Sequence, residues 1–93
     1  MSSPATPFLA RSKRLRFRAW HRGTRESDYL CGCFFDRFHE SWSETDFDWF
    51  EALLDEEDPD VLSWIMGTEA PPARYAGALM DAMKQLDYVT IPR

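Results

Sequence analysis

Residues 43–67 read Ser43-Glu44-Thr45-Asp46-Phe47-Asp48-Trp49-Phe50-Glu51-Ala52-Leu53-Leu54-Asp55-Glu56-Glu57-Asp58-Pro59-Asp60-Val61-Leu62-Ser63-Trp64-Ile65-Met66-Gly67. Ser43 followed three residues later by Asp46 has the form of a capping box, in which side chains at the two positions satisfy each other's free backbone N–H groups. Phe47, Phe50, Leu53 and Leu54 then recur at three- and four-residue steps, which predicts a helix ending near Asp55. Asp58-Pro59 pairs a cap with the residue whose missing N–H costs nothing at a helix start. Val61, Leu62, Ile65 and Met66 form the next apolar stripe, and Gly67 closes it. Two punctuated helices therefore fill this stretch, and no strand period interrupts them.

Working outward, Arg14-Leu15-Arg16-Phe17-Arg18-Ala19 alternates like a strand, yet Leu15/Ala19 and Phe17/Trp20 also sit at helical spacing. With no second strand-like run to pair with it, the stretch Ser12 to Trp20 is expected to be a short helix. His21-Arg22-Gly23 breaks the pattern, because glycine enters left-handed backbone geometry without a Cβ penalty, and Thr24 suits the cap of a second helix. Leu30, Phe34 and Phe38 place one face of that helix over Arg25 to about His39. Gly32 within it suggests close packing by a neighbouring element. After Gly67, Pro71-Pro72 is expected to start a last helix that carries Tyr75, Ala76, Leu79, Met80, Met83 and Leu86 up to about Asp87.

Five short helices cannot stand alone in water and must cover one another's apolar faces. The expected fold is all-α, a compact bundle with flexible termini: a tail over residues 1–10, one domain over 11–88 and a second tail over 89–93. At 93 residues, 44% hydrophobic and 15% aromatic, the chain has material for one small core and excludes a multidomain enzyme. No apolar run approaches the roughly 18–20 residues that cross a bilayer, and no signal-peptide pattern opens the chain. A soluble, non-secreted protein without membrane insertion is expected. Cys31 and Cys33 stand too close for an easy bridge, which fits a reducing compartment.

The net charge of −5 conceals a split. Arg11, Lys13, Arg14, Arg16, Arg18, Arg22 and Arg25 precede every acidic residue, whereas four basic residues share the rest of the chain with all sixteen acids. Such a basic arm fits either phosphate contacts on nucleic acid or docking on an acidic protein surface, including the chain's own acidic body. The acidic remainder would repel a polyanion, so a small nucleic-acid-binding protein is the alternative reading and nucleic acid is not the expected partner.

Few residues offer chemistry. His21 and His39 are the only histidines, and no nucleophile motif accompanies them, so no catalytic residues and no enzymatic activity are expected. Cys31, Cys33 and His39 could be assembled into a metal site on paper. On a helix, however, i and i+2 side chains point about 200° apart, so no metal is expected. Core packing is the expected role of Cys33, and partial exposure that of Cys31. Asp55-Glu56-Glu57-Asp58 lacks the spacing and the glycine of a calcium loop and reads as a solvated connection. Trp49 and Trp64 belong to core stripes, while Trp20, beside the charged turn, is expected to be the exposed one. Arg22-Gly23-Thr24-Arg25-Glu26 is left as either a capped turn with a local ion pair or a contact surface, with long side chains projecting and glycine backbone bare.

Lys13-Arg14-Leu15-Arg16-Phe17-Arg18, then Arg22-Gly23-x-x-Glu26, then an aromatic-rich helix and the series Phe50-Glu51-Ala52-Leu53-Leu54 … Glu57-Asp58-Pro59-Asp60 … Trp64-Ile65-Met66-Gly67 resemble the FAD assembly factor family of succinate dehydrogenase. The likeness spans about Arg11 to Leu86. It departs from the common pattern at Cys31-Gly32-Cys33, in a usually leucine-rich stretch, and at His21.

The resemblance implies a non-enzymatic, five-helix assembly factor, or chaperone. Its partner would be the flavoprotein subunit of succinate dehydrogenase, with fumarate reductase flavoprotein as a further client, and its role to promote covalent FAD attachment. It implies partner contact through Arg22, Gly23 and Glu26, which Arg18 and Arg25 flank as further expected contacts. No tightly bound cofactor is expected on the factor itself, FAD being handled on the client; a direct flavin carrier using Trp20 or Tyr29 is a third reading. The expected location is a bacterial cytoplasm rather than a mitochondrial matrix. Burial of both Arg22 and Glu26 inside the bundle would remove this docking surface.

Overall fold

The computed structural model describes residues 7–90. The chain runs through α1 (Pro7–Trp20), α2 (Arg25–Phe38), a single 3-10 turn (His39–Ser41), α3 (Glu44–Leu54), α4 (Asp58–Met66) and α5 (Ala78–Gln85), with no strand among the described residues. The all-α expectation therefore holds. The expected tails at residues 1–6 and 91–93 lie outside the described residues.

Local signals set most helix ends. The Ser43 hydroxyl accepts from Asp46 N at 3.2 Å and the Asp46 carboxylate accepts from Ser43 N at 3.0 Å, completing the capping box. Thr24 caps α2 by accepting from Ser27 N. Gly67 ends α4 at φ +82°, in the left-handed region where a Cβ is penalised.

The helix ends that differ from the sequence reading have physical causes. The first helix begins at Pro7 rather than Ser12, because proline suits a first turn where its absent N–H has no partner in any case; residues 7–10 thus belong to α1 rather than to a tail. The last begins at Ala78 rather than at Pro71-Pro72. Gly77 stands at φ +140°, ψ −165°, a conformation closed to residues with a Cβ, and it separates α5 from a turn at 73–75. Segment 71–77 is instead held by Tyr75. Its carbonyl accepts the Trp49 indole N–H at 3.2 Å, and its hydroxyl donates to Glu56 Oε2 at 2.6 Å. Arg74 also reaches Glu56, at 2.5 Å, and the two donors, Tyr75 first, hold the Glu56 carboxyl below its ordinary range.

The core is aromatic and α2 runs through it. The Phe34 ring, with no exposed surface, has Trp42, Phe50 and Tyr88 within 5.2–6.2 Å. Tyr88, read from the sequence as the start of a loose tail, is buried and meets Phe34 edge-on, and Val89 packs behind it. Such edge-to-face pairs add roughly 0.5–1.5 kcal/mol beyond the area they bury. The buried side of α2 is wider than the Leu30/Phe34/Phe38 stripe, taking in Cys31, Cys33 and Phe35. Cys31 is therefore 2% exposed, against the expectation of partial exposure, and burial pushes its thiol up to about 12. It is a core residue, not a reactive one.

Gly32 explains its own presence. A Cβ built there would lie 2.2 Å from the Trp20 ring, closer than atoms can approach. The indole packs directly against bare backbone, and its Nε1–H donates to Asp36 at 3.2 Å on the next turn of α2. Trp20 is consequently half-buried rather than the exposed tryptophan of the four. Gly32→Ala is expected to gain helix propensity of about 1 kcal/mol and lose more by displacing the indole, for a net destabilisation of roughly 1–2 kcal/mol. Chemical denaturation checks this, and a stabilised variant would contradict the packing.

Candidate functional site

The turn between α1 and α2 carries the residues that the resemblance singled out, and the structure separates them into two groups. Gly23 and Glu26 are exposed, as is Arg25 between them. Gly23 stands at φ +125° and no atom lies within 4 Å of the position a Cβ would take, so its backbone opens to solvent. Glu26 and Asp28 occupy the first turn of α2, where the partial positive charge of the helix N-terminus favours carboxylates.

Arg22 points the other way. Its side chain is 8% exposed and its guanidinium reaches across to the connection between α3 and α4. One amino group donates to the Leu54 carbonyl, and the other donates to the Glu56 carbonyl at 2.9 Å and meets the Asp58 carboxylate at 2.6 Å. Nε adds a bond to Asp58 at 2.8 Å, and the Arg22 backbone N–H donates to Asp28 Oδ1 at 2.6 Å. The planar five-donor fork of arginine suits this set of acceptors, and its bond to the Leu54 carbonyl caps the end of α3. The expectation that Arg22 projects outward to a partner is thereby corrected, since its charge is already matched within the fold.

Arg18 is likewise engaged, 2.5 Å from Asp55, though half-exposed. The segment Asp55-Glu56-Glu57-Asp58 is therefore not a freely solvated loop. Arg18, Arg22 and Arg74 each bind a different acid of it. Asp58 does not cap α4 as read from the sequence. Glu57 occupies the cap position, and Asp58, first in the helix, serves Arg22. Docking of the basic segment on the chain's own acidic body was among the sequence readings, but the individual partners Asp55 and Asp58 were not legible there.

Two depressions flank the exposed turn. One, of about 510 Å³ and wide open, is lined by Trp20, His21, Gly23, Arg25, Asp28 and Tyr29. Trp20 and Tyr29 meet there edge to face at 5.9 Å. The other, about 200 Å³ and mostly apolar, lies between Glu26, Tyr29, Leu30, Met66 and Val89, with Met66 55% exposed. No cluster of potential metal ligands exists among the described residues. No described helix is long and apolar enough to cross a membrane.

The fold and the turn define a small all-α bundle that presents an exposed glycine turn between two open depressions, with both of its thiols buried. The model of the Sdh5 family, described as flavinator of succinate dehydrogenase, matches residues 13–87, and the chain belongs to that family. It is 34% identical over 74 residues to the FAD assembly factor SdhE of Acetobacter pasteurianus, covering 80% of this chain and 68% of that protein. It is 41% identical over 49 residues to SdhE of Vibrio cholerae, covering 53% and 57%. With succinate dehydrogenase assembly factor 2, mitochondrial, of Mycosarcoma maydis it shares 34% over 71 residues, covering 76% of this chain and 30% of the relative. No solved structure matches.

Proposed function

We propose that this protein binds the flavoprotein subunit of succinate dehydrogenase through the Gly23–Glu26 turn and promotes covalent attachment of FAD to that subunit. The family carries the class of function; the site rests on one observation, that Gly23, Arg25 and Glu26 stand exposed between two open depressions. The bond to be made joins a client histidine nitrogen to the flavin's methyl carbon; one C–H and one N–H bond break and the flavin ring takes up the two electrons and two protons, so the client and its FAD supply all the reacting atoms. The factor's part is thermodynamic. A binder that prefers the arrangement of client domains in which the flavin is aligned raises its population by the ratio of its affinities for the two arrangements. Bare backbone at Gly23 permits close approach, and Glu26 offers a charge-assisted bond to a cationic or N–H donor.

FAD is proposed to remain with the client. Trp20 is half-buried, with one face packed on Gly32 and its indole N–H bonded to Asp36. Titration of flavin fluorescence with the isolated protein checks this, with no saturable quenching expected. A fumarate reductase flavoprotein is a further proposed client on the same chemistry.

The deciding experiment expresses the flavoprotein with Glu26→Ala in a strain lacking its own factor and reads covalent FAD by in-gel fluorescence. Glu26 is exposed, so its removal should leave the thermal transition within about 0.5 kcal/mol of wild type. Docking is expected to weaken roughly tenfold, about 1.4 kcal/mol, with flavinylation falling accordingly. Normal affinity and normal flavinylation by this variant would remove Glu26 from the interface.

A further inference from the structure

The turn is not where the exposed surface of interest ends. Helix α1 is basic on every side but the one that faces the core, and its position between two acidic neighbours divides those charges. At about 100° per residue, Leu15 and Ala19 face inward and are buried. On one flank Arg11 meets Asp48 and Glu51 of α3, each at 2.7 Å, and Arg18 meets Asp55. On the other flank Arg16 and the Trp20 indole share Asp36 of α2, at 3.0 and 3.2 Å. Lys13, Arg14 and Phe17 are left on the outer face. Lys13 and Arg14 are exposed and form no ion pair among the described residues.

Phe17 is 63% exposed, the most accessible of the large hydrophobic side chains described. Single exposed apolar residues are common and by themselves mean little. This one is held in place. His21, one turn on, stacks on its ring at 4.0 Å with the planes 15° apart, and His21 Nδ1 bonds to the Phe17 carbonyl at 2.7 Å. The ring presents its free face with little rotamer freedom left to lose, the condition under which an aromatic anchor contributes most. The stems of Lys13, Arg14 and Arg18 line an apolar depression around it. His21 lines the depression at Gly23 as well, so this face runs without a break into the turn.

The geometry points to the outer face of α1, centred on Phe17 with Lys13 and Arg14, as a second contact patch for the client, which takes an acidic protein surface surrounding an apolar recess. The inference rests on the docking reading of the Gly23–Glu26 turn and extends it by about two helical turns. Charge complementarity selects the occupant. The two cations on this face are the ones of α1 not matched by acids of the chain's own body. Two are too few to track a phosphate backbone past a chain of net charge −5, but they suit a pair of carboxylates beside an aromatic socket.

The test compares Phe17→Ala, the double variant Lys13→Glu/Arg14→Glu and Glu26→Ala as full chains binding the FAD-loaded flavoprotein subunit. All are surface changes, and thermal unfolding near that of wild type is expected for each. Phe17→Ala should weaken binding at least tenfold. The double reversal should weaken it at least as much and flatten its dependence on salt, which a structural defect would not do. If both α1 variants bind as wild type while Glu26→Ala is weakened, the patch is overturned and the turn stands. If Glu26→Ala also binds as wild type, patch and turn fall together. Binding of the wild-type chain to a 20-base-pair DNA or to phosphatidylglycerol vesicles, abolished by the double reversal, would also overturn the patch, since its cations would then serve a polyanion.

Discussion

Arg22→Ala should lower the stability of this protein by about 3 kcal/mol, a shift of roughly 12–24 °C in the midpoint of a thermal melt for a domain of this size. The side chain is almost wholly buried and serves three acceptors from the connection between α3 and α4, so truncation leaves the Asp58 carboxylate without its cation and the Leu54 and Glu56 carbonyls without a donor. Breaking a buried pair by removing one member costs about 3–5 kcal/mol when the other stays dry. Asp58 retains some access to water, which places the value at the lower end. Arg22→Lys keeps the charge but lacks the planar fork, and should recover less than half of the loss. A melt of Arg22→Ala within about 1 kcal/mol of wild type would show that the connection closes without the clamp. Because most domains are stable by only about 5–15 kcal/mol, lost flavinylation in this variant reports on folding before it reports on docking.

Gly23→Arg is expected to have the largest effect on docking. Two effects act at this residue and can be told apart. Any side chain must adopt φ +125°, a strain of roughly 1–2 kcal/mol, and Gly23→Ala bears that strain as fully as Gly23→Arg does. The Cβ common to both variants meets no clash, because no atom beyond the chain neighbours lies within 4 Å of the place it would take. The two should therefore melt within about a degree or two of each other, both below wild type. They should differ in binding. Gly23→Ala adds one methyl group and should lose only a few-fold, whereas arginine fills the approach to the turn and should cost about 100-fold or more, some 2.7 kcal/mol. Calorimetric titration against the flavoprotein, with thermal melts alongside, reads both quantities. Equal binding losses in the two variants would mean that the conformation of the turn matters and its clearance does not.

What the sequence disclosed depended on how far its signals reach. Thr24, Ser43 with Asp46, and Gly67 act within four residues of themselves, and each has the role that its residue type suggested. Gly32 was legible for a related reason: a glycine inside an apolar helix implies something resting on it, although only the fold identifies that object as Trp20. The misreadings are non-local. Arg22 turns inward because its acceptors lie 32 to 36 residues further along. Tyr88 is buried because the core comes back to meet it through Phe34 and Phe38, which no period near residue 88 announces. Cys31 is covered because α2 is overlaid on two sides, and a one-stripe reading underestimates such a helix. Two prolines suggest an earlier start for α5 than the backbone at Gly77 permits. Of the candidate site, the location of the turn was legible, whereas the division of labour between Arg22 and its exposed neighbours required the fold.

The Arg22 clamp also bears on when the protein becomes competent. The loop that a client would grip takes its shape from carbonyls supplied by the second half of the polypeptide, so a nascent or partly melted chain displays the right residues in no particular arrangement. On the docking reading proposed above, a chain that has not finished folding would offer its client no formed handle.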